Sequence, residues 1–300
     1  LLPLATPQIA AQGPSLVPVR TDDPEGCPAF FARSLSGVRN GPSPQWLQDL
    51  LTKAGLRPIS ALVDVTNYFS IGYGRPLHVY DVAKLRGGLV ARRARAGESL
   101  LALNGKTYTL DETMTVIADE VPGSDSRVHD IGGIMGGEES GVSETTTDVL
   151  VEAAYFTPAR IGETGRKLGI TSDARPRFER GVDPAFVGPG LAMACRMIHE
   201  LCGGTISEPV YAGELPLEPR IIAFDPARTL ALGGIDVPAD EQRAILEHLS
   251  FTVAGSIPWQ VTIPGWRRDV TGSADLVEEV VRLHGIDRVQ SVALPRPEGV

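Results

Sequence analysis

Apolar residues recur at helical spacing in four segments of the chain. Ser43 and Pro44 predict the start of the first helix, because serine is a favoured N-cap and proline suits the first helical position. Gly55 is expected to end this helix. Its apolar face carries Trp46, Leu47, Leu50, Leu51 and Ala54. The same spacing predicts further helices near residues 191–202, 239–249 and 274–284.

Short strand-like patterns lie between these helices. Residues 100–110 fit two strands joined at Asn104-Gly105, a dipeptide typical of two-residue hairpin turns. Apolar and β-branched runs predict buried structure over residues 59–70 and strands near residues 149–156, 220–224 and 260–263. We therefore predict an α+β fold, in which a mixed α/β domain is followed by a small α+β domain of winged-helix-like pattern.

The length and composition allow two domains with separate cores. The chain has 300 residues, of which 42% are hydrophobic and 22% charged. Residues 1–26 are rich in Pro, Ala, Gln and Gly and are predicted to be a linker or the end of a missing N-terminal domain. A connector rich in Pro and Glu begins at residue 213. We therefore predict domains over residues 27–212 and 213–292, followed by a linker over 293–300.

The charge balance limits how the chain could bind nucleic acid. A formal net charge of −9 excludes binding through overall basicity, so any nucleic-acid site must be local. Between residues 160 and 180 six basic residues face three acidic ones, which could meet a phosphate backbone or form a salt-bridged turn. The basic residues are Arg160, Arg166, Lys167, Arg175, Arg177 and Arg180. Both interpretations stay open at this point.

The three cysteines are predicted to be reduced core residues of a cytoplasmic protein. Cys27, Cys195 and Cys202 are odd in number and have no metal-ligand spacing. No segment has the length and apolarity of a membrane span, and the start has no signal-peptide pattern. Because the first residue is Leu and not Met, we expect the chain to be a piece of a longer protein.

A glycine-rich run covers residues 131–137. It is not a phosphate-binding P-loop, because no Lys-Ser or Lys-Thr follows at the required spacing. It is not a dinucleotide fingerprint either, because the spacing differs and no helix pattern follows. Repeated glycine indicates a close backbone approach or positive φ, which a purely structural turn would also need.

His78 lies in a connection rich in Pro and Gly, shortly after Thr66 and Asn67. Its neutral ring can both donate and accept a hydrogen bond, so it could orient a water or a substrate hydroxyl. A lone loop histidine is more often an ordinary surface group. No Ser or Cys stands at a nucleophile elbow to complete a catalytic triad.

The last predicted helix carries three carboxylates, Asp275, Glu278 and Glu279, and Asp269 precedes it. Their spacing of three and four residues predicts one helical face that could present oxygens to Mg²⁺. The alternative is structural. Acidic residues are favoured near a helix start by the helix dipole, and Glu279 could pair with Arg282 or Arg268.

Five ordered blocks of this sequence resemble the β subunit of bacterial phenylalanyl-tRNA synthetase, also called phenylalanine–tRNA ligase. The resemblance covers about residues 27–290, the editing domain of that family and the small domain after it. The blocks, in chain order, are Val63-Asp64-Val65-Thr66-Asn67-Tyr68, Pro76-Leu77-His78, Gly133-Ile134-Met135-Gly136-Gly137-Glu138, Arg177-Phe178-Glu179-Arg180-Gly181-Val182-Asp183, and Arg267-Arg268-Asp269 with Asp275-Leu276-Val277-Glu278-Glu279.

The resemblance implies that the first domain removes tyrosine from mischarged tRNA. It assigns catalytic roles to His78, Asn67 and Glu152, with Glu152 recognising the tyrosine hydroxyl and the other two positioning the ester and a water. It also implies substrate-binding positions at Thr66, Gly133, Gly136, Ser172 and Ala174.

For the complex, the resemblance implies partners and cofactors. These are an α subunit in an α2β2 tetramer, tRNA(Phe), Mg²⁺ held with the α subunit by Asp269, Asp275, Glu278 and Glu279, and ATP only in the full complex. The chain departs from the family pattern at Arg175-Pro176, at Gly132 and in the longer segment 122–130. An alternative is therefore a structural or tRNA-docking fragment that has lost editing.

Overall fold

The computed structural model describes residues 5–121, 123, 125–290 and 293. It divides into a larger unit, Leu4–Pro216, and a smaller unit, Leu217–Val300. Each unit has its own hydrophobic core. Each is therefore described by itself.

The larger unit contains eleven strands and five α-helices within the described ranges. The strands are β1 Val19–Thr21, β2 Ala29–Ser36, β3 His78–Asp81, β4 Gly88–Arg93, β5 Ser99–Leu101, β6 Thr107–Thr109, β7 Thr115–Glu120, β8 Arg127–Ile131, β9 Met135–Gly136, β10 Asp148–Tyr155 and β11 Thr205–Gly213. The helices are α1 Gln45–Lys53, α2 Ala61–Gly72, α3 Pro158–Leu168, α4 Arg175–Arg180 and α5 Val187–Cys202. Short 3₁₀ turns cover Val82–Lys84 and Pro184–Phe186.

Two sheets form the frame of this unit. One has the order β1-β4-β7-β8-β9, in which only the β1–β4 pair is parallel. The other has the order β11-β2-β10-β3 and is antiparallel throughout. Strand β10 is central and almost entirely buried, and α5 packs against it. A polar residue on β10 is therefore held rigidly and away from bulk water.

Several sequence predictions are confirmed here. Helix α1 forms where Pro44 and Gly55 bracket it, although Trp46 and Leu50 are 48% and 47% exposed and only Leu47 and Leu51 are buried. The predicted strand over residues 149–156 is β10, and the helix near 191–202 is α5. All three cysteines are free and buried.

The hairpin of β5 and β6 has a longer loop than predicted. Ala102 N–H donates to Lys106 O, so three residues lie between the last paired positions instead of two. Gly105 N–H also donates to Ala102 O, and Gly105 has a φ of 74°. This geometry is that of a type I turn followed by a left-handed residue, which glycine adopts without strain.

Two further segments differ from expectation. The predicted linker over residues 1–26 is wrong for residues 17–26, because Val17 is buried in the core and β1 pairs with β4. The buried structure over residues 59–70 is helix α2. The sequence also missed β4, β7, β8, α3 and α4.

The smaller unit is a three-stranded antiparallel sheet with helices, in the strand order β12-β14-β13. Its elements are β12 Arg220–Phe224, α6 Ala227–Gly233, α7 Ala239–His248, β13 Thr252–Ala254, β14 Trp259–Ile263 and α8 Ser273–Gly285, followed by a 3₁₀ turn at Ile286–Arg288. The α+β class predicted from the sequence is confirmed. Of the predicted linker over residues 293–300, all but residue 293 lies outside the described residues.

Candidate functional site

Strand pairing places the two main candidate residues side by side. In the antiparallel register of β3 and β10, His78 lies directly opposite Glu152. Tyr80 is two residues beyond His78 on the same face, since side chains alternate along a strand. The His78 and Tyr80 rings meet edge to face, with centroids 4.3 Å apart. Paired strands thus assemble a polar cluster inside the sheet.

Glu152 is only 5% exposed on an otherwise apolar strand. Tyr80 Oη donates a hydrogen bond to Glu152 Oε2 at 2.6 Å. Burial raises the pKa of Glu152 to about 7, while the Tyr80 hydrogen bond and the Arg75 charge act in the opposite direction. A carboxyl held in this way can change its protonation state near neutral pH.

Arg75 is a fully buried cation beside this cluster. One guanidinium nitrogen donates to the carbonyl of Ala154, and the guanidinium lies 5.5 Å from the centre of the Phe178 ring. Nε and Nη1 have no hydrogen-bond partner in the described part of the chain. Burial lowers the pKa of Arg75 to about 10, an effect that the Glu152 charge opposes. Arg75 therefore supplies positive charge next to Glu152.

The glycine run forms a tight turn against this cluster. Gly133 has a φ of 70°, and a Cβ there would lie 2.7 Å from the Phe156 ring. A Cβ on Gly136 would lie 2.5 Å from His78 Cε1. A Cβ added at Gly132 would also lie 2.8 Å from Phe156. The phenylalanyl-tRNA synthetase β subunits that the sequence resembles often have Ala at this position. The glycines therefore make room for the ring of His78 and for an aromatic wall.

These elements enclose one pocket. Its lining comes from β3 and the residues before it, β8, the glycine turn, β10 and the residue after it, and α4. The lining residues are Pro76, Leu77, His78, Asp130, Gly133, Ile134, Met135, Gly136, Glu152, Phe156, Ala174 and Phe178. Five of the eight predicted editing residues are therefore brought together, namely His78, Gly133, Gly136, Glu152 and Ala174.

The other three predicted residues do not line this pocket. Thr66 Oγ1 donates to the Val63 carbonyl within α2, and Asn67 is half-buried on the same helix. Ser172 accepts a hydrogen bond from the Arg175 N–H and lies in a separate shallow depression. The structure as it stands therefore gives Thr66, Asn67 and Ser172 no contact with the pocket.

Sequence reasoning missed several residues of this site. Asp130 and Tyr80 bring a second carboxyl and a hydroxyl into it, and Phe156 and Phe178 pack edge to face with centroids 5.2 Å apart. The sequence contains little signal for Asp130, because it follows the polar residue His129 and does not interrupt an apolar run. No signal marked Arg75, since an arginine in a Gly-Pro connection is normally exposed.

The acidic residues of the smaller unit are engaged with other groups. Asp269 and Glu279 both accept hydrogen bonds from Arg267, and Arg282 also contacts Glu279. Asp275 Oδ2 accepts the N–H groups of Thr271 and Gly272 at the start of α8. The prediction of one shared face is wrong, because Glu279 is 7% exposed whereas Glu278 points to solvent.

These carboxylates do not fit a magnesium site as they are arranged. Mg²⁺ needs several free hard oxygens in near-octahedral geometry. Here a guanidinium or backbone N–H groups occupy three of the four predicted ligands. Within the described ranges no group of three or more His, Cys, Asp or Glu residues could hold a metal ion. The alternative of arginine pairing and helix capping describes what is seen.

The basic segment over residues 160–180 is also largely paired. Arg175 Nε donates to Glu179 Oε2 at 3.1 Å and Arg177 Nε donates to the Ser70 carbonyl at 2.7 Å. Lys167 Nζ lies 2.7 Å from Asp111 Oδ2. This arrangement favours the salt-bridged turn over a free phosphate-binding surface. Separately, no helix among the described residues has the length and apolarity needed to cross a membrane.

Comparison with known proteins gives matches for both units. Residues 26–203 match the model of the B3/4 domain, and residues 222–286 match that of the tRNA synthetase B5 domain. A phenylalanine–tRNA ligase beta subunit from Novosphingobium aromaticivorans is 60% identical over 300 residues, which is 100% of this chain and 37% of that protein.

Two further beta subunits of this ligase are also similar. That of Nitrobacter winogradskyi is 54% identical, over 97% of this chain and 35% of its own length. That of Zymomonas mobilis is 48% identical, over 100% of this chain and 37% of its own length. The family resemblance drawn from the five sequence blocks is confirmed. The chain spans little more than a third of these relatives.

Proposed function

Because the chain belongs to the B3/4 domain family and has a tRNA synthetase B5 domain after it, we propose that it is part of a phenylalanine–tRNA ligase beta subunit. Its larger unit then hydrolyses tyrosine from mischarged tRNA(Phe). The observation that carries this proposal is Glu152, a buried carboxyl opposite His78 in a pocket walled by Phe156 and Phe178.

The proposed reaction meets a physical need of the ligase. Tyrosine is phenylalanine with one added hydroxyl, and an apolar synthetic pocket rejects such an addition by only about 100-fold. A second site that accepts the hydroxyl and excludes phenylalanine supplies the remaining discrimination. Tyr80 supplies one hydrogen-bond donor to Glu152, and a carboxylate can accept more than one hydrogen bond, so a pocket built around Glu152 favours a substrate side chain with a hydroxyl.

The residues of the pocket have distinct parts in this scheme. Phe156 and Phe178 pack against the aromatic ring of the substrate, and Glu152 accepts a hydrogen bond from its hydroxyl. His78 is neutral, because burial lowers its pKa to about 4, with the neighbouring His129 acting in the same direction. Its unpartnered Nε2 can therefore hydrogen-bond the ester or a water. Asn67 and Thr66 act only if substrate binding draws α2 towards the pocket.

A structural fragment without editing chemistry is the second candidate. The replacement at Arg175-Pro176 motivates it, because this dipeptide adjoins Ala174 in the pocket. The Arg175 side chain is directed elsewhere, since one guanidinium nitrogen donates to the Ile170 carbonyl at 2.6 Å and Nε to Glu179. The mouth of the pocket is therefore not filled by this replacement, which supports the hydrolytic role.

The remaining roles belong to the proposed full complex in the cytoplasm. They are an α subunit in an α2β2 assembly, tRNA(Phe) and ATP-dependent aminoacylation, with any Mg²⁺ held by groups other than the paired Asp269, Asp275 and Glu279. Since the sequence has no recognised pattern for binding ATP phosphates, we expect no phenylalanine-dependent exchange of labelled pyrophosphate into ATP with this chain alone. Exchange above that of a boiled control would contradict this division of labour.

Ligand binding tests the pocket without tRNA. Calorimetric titration of the chain with the amides of tyrosine and phenylalanine should show tighter binding of tyrosine amide, by about 10- to 100-fold for a hydrogen bond to a charged acceptor. Glu152→Gln should reduce this preference. Glu163→Gln, an exposed change on α3, is the matched control and should keep it. Equal affinity for both amides in the unmodified chain would rule out the proposed recognition.

A further inference from the structure

The pocket contains a second buried carboxyl, to which the proposed function gives no role. Asp130 lies on β8, is 6% exposed and pairs in register with Gly136 of the glycine turn. Its side chain lines the pocket together with His78 and Glu152. Asp130 Oδ1 is buried and has no hydrogen-bond partner in the described part of the chain. An unpartnered oxygen inside a functional pocket calls for a chemical explanation.

Counting the charges around the two carboxyls shows that they are not equivalent. The buried cation Arg75 acts on Glu152, whereas no lysine or arginine of the described residues lies within ion-pair distance of Asp130. A buried carboxylate without a counter-charge is strongly disfavoured, and a second negative charge nearby adds to the cost. Burial first, and then the charge of Glu152, raise the pKa of Asp130 well above its ordinary value. Asp130 is therefore the neutral member of the pair.

A neutral carboxylic acid is a hydrogen-bond donor, and the acceptor beside Asp130 is His78. Asp130 Oδ2 lies 3.8 Å from His78 Nδ1. The ring cannot easily turn away, because Tyr80 packs on it and the Gly136 backbone lies against Cε1. Neutral imidazole has one donor and one acceptor nitrogen, so whichever group binds Nδ1 decides what Nε2 presents to the pocket.

We propose that Asp130 is a positioning residue, which as a neutral acid donates a hydrogen bond to His78 Nδ1 and so fixes Nε2–H as a donor towards the substrate. The substrate part of this statement rests on the proposed hydrolysis. The distance must shorten from 3.8 Å to about 3 Å for a full hydrogen bond. Nε2–H would then bind the carbonyl oxygen of the ester or hold the attacking water.

The tautomer of His78 tests this proposal without any substrate. The chain has five histidines, so ¹⁵N-histidine NMR of the 300-residue chain gives few signals, and His78→Gln identifies that of His78 by its loss. We expect the Nε2–H tautomer. If Asp130 were an ionised acceptor, His78 would instead carry its proton on Nδ1. Observing the Nδ1–H tautomer in the unmodified chain would overturn the proposal.

Two variants separate hydrogen-bond donation from charge. Asp130→Asn keeps a donor of similar shape and should retain the Nε2–H tautomer, whereas Asp130→Ala should yield a mixture of tautomers. The matched control is Asp64→Asn, since Asp64 is buried and hydrogen-bonded to Ser43 and Ile59 but does not line the pocket. It should leave the His78 signals unchanged. An Asp130→Ala chain with an unaltered tautomer would also contradict the proposal.

Kinetics then connect the tautomer to hydrolysis of Tyr-tRNA(Phe). Asp130→Ala should lower kcat by about 100-fold with little change in KM, as expected for a group that acts through a catalytic side chain. Asp130→Asn should hydrolyse faster than Asp130→Ala. If the unmodified chain does not hydrolyse the ester, the proposed function fails, while the NMR result still decides the role of Asp130.

Discussion

The two units treat buried carboxyls in opposite ways. In the larger unit, Arg75 acts on Glu152 and no cation among the described residues acts on Asp130, and burial raises the pKa values of both carboxyls. In the smaller unit, Arg267 and Arg282 contact Glu279, and these hydrogen bonds lower its pKa despite burial. The residue types are the same, but the number of partners differs. Carboxyls that are fully paired stabilise a fold, whereas carboxyls left short of partners are available to bind something else.

The largest expected effect is on the stability of the smaller unit, in which the buried carboxyl is paired. Arg267→Ala should destabilise the smaller unit by about 3 kcal/mol, because it leaves the buried Glu279 with only one partner. Glu279 has a lowered pKa, so its stabilising effect is present above the ordinary value of 4.5 and is lost as pH falls below it. The difference in free energy of unfolding between the variant and the parent should therefore become smaller at acidic pH.

Urea unfolding followed by tryptophan fluorescence measures this effect. Two of the three tryptophans, Trp259 and Trp266, belong to the smaller unit. The matched control is Arg243→Ala, since Arg243 also stacks on an aromatic ring, that of Trp259, but the carboxylate it pairs with, Glu247, is exposed and its other contacts are backbone carbonyls. If Arg267→Ala lowers the free energy of unfolding no more than the control does, the pairing of Glu279 does not stabilise this unit.

Glu152→Gln should increase the free energy of unfolding, which is the opposite of the effect expected for Arg267→Ala. Glu152 has a pKa of about 7 against an ordinary value of 4.5, so ionising it in the folded state is unfavourable. The variant should be more stable than the parent by about 3 kcal/mol above pH 7, with the gain vanishing as pH falls towards 4.5. Chemical unfolding across this pH range is the measurement. A variant less stable than the parent at every pH would show that Glu152 is a structural partner and would break the comparison.

Substituting one glycine in each unit should show the same contrast, with an effect on hydrolysis in the larger unit and on stability alone in the smaller unit. Gly136→Ala would place a Cβ 2.5 Å from His78 Cε1 and so displace the ring. A misplacement of this size should reduce Tyr-tRNA(Phe) hydrolysis by about 100-fold while the unit stays folded. In the smaller unit, Gly233→Ala meets only the side chains of Val281 and Val277 and should affect stability alone. Equal hydrolysis by Gly136→Ala and the parent would remove His78 from the mechanism.

The smallest effects concern magnesium. Glu278 is exposed, so Glu278→Gln should change the free energy of unfolding by less than about 0.5 kcal/mol. Glu279→Gln should lower the free energy of unfolding by more, because it removes the charge bound by two arginines. Added Mg²⁺ should not stabilise the chain alone. If Mg²⁺ raises the melting temperature and Glu278→Gln abolishes that rise, the carboxylates form a metal site and the paired description of this unit is wrong.

Local patterns in the sequence predicted most elements whose boundaries are set by caps and turns. Pro44 and Gly55 bracket α1, and the four apolar helical stripes all form helices. Strands β4 and β7 were missed because they are short and polar residues follow their apolar centres, and β8 because His129 and Asp130 stand within it. The linker assignment failed because Val17 and β1 acquire structure only by pairing with β4, a partner about 70 residues away that local composition does not reveal.

The site was predictable only in part, for a similar reason. The sequence does carry a signal for Glu152, since it interrupts the apolar run of residues 149–156, and for the glycines, since they repeat. Arg75 and Tyr80 could not be found from local sequence, since their importance comes from burial next to Glu152 through the pairing of β3 and β10. Thr66 and Asn67 were chosen by resemblance, and α2 holds them away from the pocket in this structure.

Deacylation tests most directly whether the buried carboxyl Glu152, which accepts a hydrogen bond from Tyr80 on Oε2, recognises a tyrosyl ester. The chain, and the complex assembled with an α subunit, should be given Tyr-tRNA(Phe) and Phe-tRNA(Phe) in parallel. We predict that only the tyrosyl ester is hydrolysed faster than in buffer, and that Glu152→Gln slows this by about 10- to 100-fold, whereas Glu163→Gln does not. Hydrolysis of both esters at the same rate, or of Tyr-tRNA(Phe) at the same rate by Glu152→Gln and the parent, would contradict the account.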